Sequence, residues 1–426
     1  MPNEVLANIC TYATDGDDPR SQWREGKSWL KAVRLTCTRL NPPATSVLGR
    51  RFFKRLRVMA ARGSLKTLLE ICSHPLIGPH VSKIELCGRR LDQELLSPLR
   101  RTLEFQLRRK QLRGIRLARS RLQSFMNFLE EEVELDQREG IFHLLVEALR
   151  VIRTYGHSVD LAVFTTLNED QDIRTILDWQ EATDQLSEDS ETPLNNIITH
   201  DGVRSSCRTL LAAAIRSGCR VDEFSLEASD SWFVMTHSQY DKDNTLPYRA
   251  QDLFLHVKAF RMYVDADLYV GDLDGWVTAV LPLAKNLEVL HLHPRSYSYE
   301  SSIEWNEVDA FGKTIQSLQS DCLREIEVEE AVCRQGDLVS LLDRHKHTLR
   351  HVSLGEFGLV GSWEQILTWI RDHCSLTYLG MSALYESDKD ATTFSWAGLE
   401  KIPSDVSRLD DYLEQRRKKQ AEEEED

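Results

Sequence analysis

The sequence predicts an α/β fold in which a trihelical N-terminal module precedes an irregular solenoid, with parallel strands on the concave face and helices on the convex face. Three observations predict it. Seven short runs share one apolar frame: VSKIELC (81–87), VDEFSLEA (221–228), VKAFRMYV (257–264), LEVLHLHP (287–294), LREIEVEE (323–330), LRHVSLGE (349–356) and LTYLGMSA (376–383). Helix-forming stretches at 276–285, 305–318, 337–346 and 363–373 alternate with the later runs. The first 60 residues, by contrast, read as helices only.

Period-two alternation puts the apolar positions of each run on one face, where a helix covers them. One strand–helix unit cannot bury that face alone, so successive units stack. The last four runs begin 36, 26 and 27 residues apart. That spacing is near the ~20–29 residues of leucine-rich repeats, with one insertion. A doubly wound sheet is the competing architecture. No glycine-rich strand-to-helix turn supports it, whereas the alternating frame recurs, so the solenoid is preferred.

In chain order, residues 1–60 form the helical module. In MPNEVLANIC, Pro2 suits a first helical turn because its missing N–H is a donor that a helix start leaves unpaired. Glu4 puts negative charge at the positive end of the helix dipole. Val5, Leu6, Ile9 and Cys10 share one face of a helix at 2–13. A polar, acidic loop follows, then SWLKAVRLTCTRL, anchored by Leu30, Val33 and Leu40 and stopped by Asn41-Pro42-Pro43. A third helix at about 43–50 leads into RRFFKRLRV, where Phe52, Phe53 and Leu56 are expected in a core. Residues 61–164 read as a helical linker with a first repeat-like segment. Residues 165–202, acidic and rich in turn formers, read as a partly mobile insertion. The solenoid spans 203–410, and the charged segment 411–426 reads as a disordered tail.

Composition narrows the functional classes. The chain has 426 residues, 41% hydrophobic and 28% charged, with no apolar run that would span a bilayer. The N-terminus lacks the basic start and unbroken apolar core of a secretory signal. Nine scattered cysteines with no CxxC pair suit reduced thiols in the cytoplasm or nucleus. A net charge of −14 argues against nucleic acid as partner. The stretch 99–122 does carry nine Arg or Lys against one Glu, and an acidic run follows it. It reads as a long solvated helix, and no aromatic interleaves its arginines between 106 and 122 to stack on bases.

No GxSxG, GxxxxGK[ST], HExxH or GxGxxG motif is present, so nothing identifies a catalytic centre, a cofactor or a metal. His345, His347 and His351 in RHKHTLRH read as a solvated repeat edge. His291 and His293 alternate on one strand face. Metal ligation by them is the weaker reading, and partner contact or a solvated sheet surface is the default. The frame places Ser225, Glu227, Arg261, Tyr263, His291, His293, Glu327, Glu329, Ser353, Gly355, Gly380 and Ser382 on the concave side. Arg261, Tyr263, His291, His293, Glu327 and Glu329 are the candidate substrate-binding residues. The acidic pair would suit a basic segment of a protein target.

MPNEVLANIC followed by SWLKAVRLTCTRLNPPATSVLGRRFFKRLRV resembles an F-box, in the form that opens fungal F-box proteins with leucine-rich repeats. Pro2, Glu4, Val5, Leu6 and Ile9 match the first helix of that motif. Leu30, Val33, Arg34, Leu35, Cys37, Arg39 and Leu40 match the second, and Leu48 and Phe52 the third. SLKTLLEICSHPLIGPHVSKIEL resembles the segment after the box, and the repeats of 250–385 resemble the family's second half in pattern. Met1 stands where the family has Leu, and the loop from Ala13 to Lys27 is longer than the family's turn. The resemblance implies docking on a Skp-family adaptor and, through it, on a cullin–RING ubiquitin ligase. Pro2, Glu4, Val5, Leu6, Ile9, Leu30, Val33, Leu35 and Leu40 would be the adaptor-binding residues, and the chain would be a substrate receptor and not an enzyme. A repeat scaffold with no ligase attached is the alternative.

Overall fold

The computed structural model describes residues 29–36, 38–88, 90–91, 96–137, 140–164, 198–199, 202–229, 250–265, 273–294, 305–387 and 395–396, with Leu409, Asp411, Leu413, Glu414 and Lys418. The expected first helix, with Pro2, Glu4, Val5, Leu6 and Ile9, lies outside the described residues, as does most of 165–202. The chain is α/β with parallel strands, and it divides into two compact units, Met1–Arg220 and Val221–Asp426. The helix Gly202–Ser217, expected in the solenoid, therefore belongs to the first unit.

In the first unit, a helix at 29–36 packs on the helix Asn41–Phe52 through Leu30, Ala44, Val47 and Leu48. Pro42 and Pro43 separate the two as expected, but they do so by opening the second helix, two residues earlier than predicted. RRFFKRLRV contains a strand that the sequence reading did not anticipate, β1 (Arg55–Val58). It pairs in parallel with β2 (Lys83–Cys87). After the two-residue strand β3 (Arg90–Leu91), β2 finds its other neighbour in β4 (Val159–Phe164), also unanticipated and also parallel. Leu56, Ile84 and Leu161 form one buried cross-strand row, and Val58, Leu86 and Val163 the next. The helices Arg62–Ser73, Gly140–Thr154 and Gly202–Ser217 lie side by side and supply Leu68, Leu149 and Leu210 to the core.

The basic stretch is not the single long helix expected. It breaks into the helices Leu96–Arg109 and Leu112–Gln137, which pack on each other. Lys110 turns the chain between them with φ 53°, a left-handed conformation that closes a helix end. Within the stretch expected to be mobile, β5 (Ile198–Thr199) pairs antiparallel with β3.

The second unit contains β6 (Val221–Ser229), β7 (Ala259–Asp265), β8 (Val289–Pro294), β9 (Glu325–Glu329), β10 (Val332–Arg334), β11 (His351–Val360), β12 (Tyr378–Ser387) and β13 (Ser395–Trp396). All six runs predicted here fall on strands. The spatial order is β6-β7-β8-β9-β11-β12-β13, with β10 paired to the far end of β11. The sheet is parallel except for β12–β13. It advances in one direction, without the reversal that defines a doubly wound sheet. The helices Trp305–Ser317, Gln335–His345 and Trp363–His373 are likewise each beside their predecessor.

Register explains the core. Phe224, Phe260, Leu290, Ile326, Val352 and Leu379 align across six strands. Leu226, Met262, Leu292, Val328, Leu354 and Met381 align two residues further on, and both rows are buried. Because side chains alternate, the residues between these rows fall on the opposite face of the sheet. Towards the C-terminus, the tail expected to be disordered includes helical residues, and Leu409 and Leu413, four apart on one helix face, are buried. No described helix is long and apolar enough to cross a membrane.

The solvated edge expected at RHKHTLRH needs one correction. His347 is exposed, but His345 is 2% exposed because it closes the helix Gln335–His345 against the core. Burial, reinforced by the neighbouring Arg344 charge, pushes its pKa down from 6.5 to about 4. The unfolded chain therefore takes up a proton as pH falls through 6.5, while the folded chain does not until near 4. This group's contribution to stability is complete above 6.5 and erodes between 6.5 and 4. His345→Gln is expected to flatten that part of the profile of urea midpoint against pH. An unchanged slope would contradict this account.

Candidate functional site

The candidate site lies on the polar face of β6–β9, and its residue types follow from the strand sequences. In β8, His291 and His293 alternate with Leu290 and Leu292. In β9, Glu325, Glu327 and Glu329 alternate with Ile326 and Val328. Three carboxylates on one face of one strand stand about 7 Å apart. Parallel register then sets Ser225, Arg261, His291 and Glu327 in one row, and Glu227, Tyr263 and His293 in the next.

The side chains form a connected network. His291 Nε2 lies 2.8 Å from Glu325 Oε1, and its Nδ1 lies 3.0 Å from the Tyr263 hydroxyl. The ring thus bridges a carboxylate on β9 and a phenol on β7. Burial first, and the Glu327 charge second, raise the Tyr263 pKa to about 12, so its hydroxyl stays a donor. The Arg261 guanidinium pairs with Glu223 and brings its Nε within 3.4 Å of His291 Nδ1. His293 sits between two carboxylates, with Nε2 3.0 Å from Glu327 Oε1 and Nδ1 3.0 Å from Glu329 Oε2. Its ring centroid is 4.5 Å from that of Tyr263. Ser225 Oγ, buried in the same row as Arg261, has no hydrogen-bond partner among the described residues.

Arg261, Tyr263, His291, His293, Glu327 and Glu329 are therefore brought together. Glu223 and Glu325 also belong to the network, although the sequence reading passed over them. Each lies two residues before a residue assigned to the concave face (Ser225 and Glu327), so extending the alternation by one step would have found both. Ser353, Gly355, Gly380 and Ser382 continue the two rows on β11 and β12. This end is small-residued as expected, but larger side chains cross it. A Cβ on Gly355 would stand 3.1 Å from Glu329 Cγ, and one on Gly380 2.8 Å from the Tyr378 ring.

The adaptor-face candidates are placed differently from one another. Leu30 is 0% exposed and occupied within its own helical cluster, Val33 and Leu40 are half-buried, and Leu35 is 86% exposed. No protein-family model matches the chain, and no curated protein is significantly similar to it. The class of protein that the fold defines is thus an α/β protein with parallel strands, and its site is a cross-strand network of histidines and carboxylates.

Proposed function

We propose that the chain is the substrate receptor of a Skp–cullin–F-box ubiquitin ligase, with an N-terminal F-box-like module followed by a leucine-rich-repeat-like solenoid. The observation that carries this reading is the one-way strand order of the second unit, which leaves a long polar sheet face on the side away from its helices. That is the arrangement by which stacked repeats present a binding surface. A helical cluster precedes it in the chain, and its helix at 29–36 leaves Leu35 exposed. An exposed aliphatic beside an apolar helix face is the kind of anchor that a helix-docking partner buries.

In this reading the chain performs no chemistry. It holds a protein target near a conjugating enzyme, and proximity alone speeds a transfer that would otherwise be bimolecular. The carboxylates at 325, 327 and 329 favour a target segment rich in Lys or Arg, because complementary charge steers encounter and fixes register. The localisation that follows is cytoplasmic, nuclear or both.

The test is co-expression of the full chain with a Skp-family adaptor. Co-purification of the wild type, lost in Leu35→Asp, is the expected result. Leu35 is the suitable position because a charge there faces water, whereas Leu30→Asp would disrupt the module's own packing. Deleting residues 1–60 is unsuitable, because it removes β1 with the buried Leu56 and Val58. A folded wild type that captures its target but no adaptor would favour the scaffold reading.

A further inference from the structure

We propose that the helical hairpin formed by Leu96–Arg109 and Leu112–Gln137 docks through its tip on an anionic lipid surface. The hairpin carries the basic stretch of the sequence, for which the ligase reading has no role. Arg100, Arg101, Arg108, Arg109, Lys110, Arg113, Arg116 and Arg119 are all exposed, and Glu104 is the one acidic residue between 100 and 119. Among the described residues, no ion pair neutralises any of these eight cations.

The packing of the two helices leaves apolar side chains at the same end. Gln106 of the first helix lies against Gly114 of the second, where any Cβ would overlap its side-chain amide. Ala118, four residues further along that face, is buried. A seam this close leaves no groove between the helices at Gly114, and it has no room for the large residues near the turn. Phe105, Leu107 and Leu112 are exposed instead, the last of them to 74%. They lie five and three residues before Lys110 and two after it, where the chain turns with φ 53°. At ~1.5 Å per residue all three fall within ~8 Å of the tip. That matches the ~5–10 Å to which an apolar helix face sinks into a bilayer interface.

Charge and apolar surface are interleaved in the way an anionic bilayer complements. Arg108, Arg109, Lys110 and Arg113 stand among the three apolar residues, and the Arg109 guanidinium lies over the Phe105 ring, 4.4 Å from its centroid. Arginine at such a depth keeps its stem in the apolar layer and its head among the lipid phosphates. Each basic residue near an anionic leaflet strengthens binding about fivefold. The chain's net charge of −14 does not oppose this locally, because charges beyond ~8 Å are screened at physiological salt. Nucleic acid is the weaker occupant. Its phosphates would take the arginines but leave Phe105, Leu107 and Leu112 in water, and no aromatic lies between 106 and 122 to stack on bases. An acidic peptide would need a groove, which the Gln106–Gly114 contact closes.

The experiment is co-sedimentation of the full-length chain with vesicles of phosphatidylcholine and phosphatidylserine, with pure phosphatidylcholine vesicles as control. Saturable binding to the anionic vesicles alone, weakened by added salt, is expected. Arg108→Gln combined with Arg113→Gln is expected to weaken it about 25-fold, about fivefold for each charge removed. Phe105→Ser combined with Leu112→Ser leaves the charge unchanged and is expected to weaken it at least about tenfold. All four side chains are exposed, and circular dichroism establishes that both variants are folded. Absence of vesicle binding, whether or not the chain retains a duplex RNA, would overturn the proposal. So would equal binding to the two kinds of vesicle, or wild-type affinity in either variant. The measurement needs no adaptor, so its outcome is independent of the ligase test.

Discussion

Trp363→Ala is expected to destabilise the second unit by about 3–5 kcal/mol, the usual cost of emptying a large buried aromatic site. Trp363 opens the helix Trp363–His373 and is 0% exposed. Its ring meets Phe357 edge-on at 5.8 Å between centroids, and its Nε1 donates to the Tyr385 carbonyl at 2.8 Å. One side chain thus joins a helix to two neighbouring strands, and truncation removes packing and a buried hydrogen bond together. For a unit of this size the loss corresponds to a fall in Tm of about 10 °C. Trp363→Phe keeps most of the packing but loses the Nε1 donor, so about 1–3 kcal/mol is expected. Thermal unfolding followed by circular dichroism checks both, and equal losses in the two variants would show that packing contributes little.

Glu85→Ala is expected to cost the first unit a similar amount, about 3–5 kcal/mol, for an electrostatic reason. Glu85 lies on β2 and is 1% exposed. Its Oε2 is 2.5 Å from Arg55 Nε and 2.8 Å from Arg57 Nε, and Lys83 Nζ is 3.8 Å from its Oε1. Arg57, only 11% exposed and lying over the Phe164 ring, would keep its charge and lose its carboxylate. The double substitution Glu85→Leu with Arg57→Met removes both buried charges and is expected to recover most of the loss. Urea midpoints of the single and double variants decide the matter. If the double variant is as unstable as the single one, the cost does not come from Arg57 having lost the Glu85 carboxylate.

The fold was legible where alternation was strict. Leu290 and Leu292 around His291, or Ile326 and Val328 around Glu327, announce a strand with one buried face, and register then does the rest. β4 escaped because VDLAVF is buried along most of its length and carries little alternation. β1 escaped because RLRV is four residues long and follows directly on a helix. The break at Lys110 has no local signature, since the left-handed turn is made by lysine and not by the nearby Gly114. His345 was misread because sequence spacing does not reveal which turn of a helix the core swallows.

The candidate site was legible as positions but not as chemistry. The frame put His291, His293, Glu327 and Glu329 on one face, and that grouping suggested a surface for a basic peptide. That His291 bridges Glu325 and Tyr263 while His293 is pinned between two carboxylates depends on rotamers and cross-strand register, which no single strand encodes. The anchors Leu30 and Leu35 show the same limit. Both fit a helical stripe, yet the neighbouring helix Asn41–Phe52 buries one and leaves the other exposed.

The central claim, that the N-terminal helices dock the chain on a ligase adaptor, is tested most directly by titrating the purified full-length protein with a purified Skp-family adaptor in a calorimeter. Saturable one-to-one binding, abolished in a folded Leu6→Asp, Ile9→Asp double variant, is the result the account predicts. Absence of binding by the folded wild type, or undiminished binding by the double variant, would contradict it.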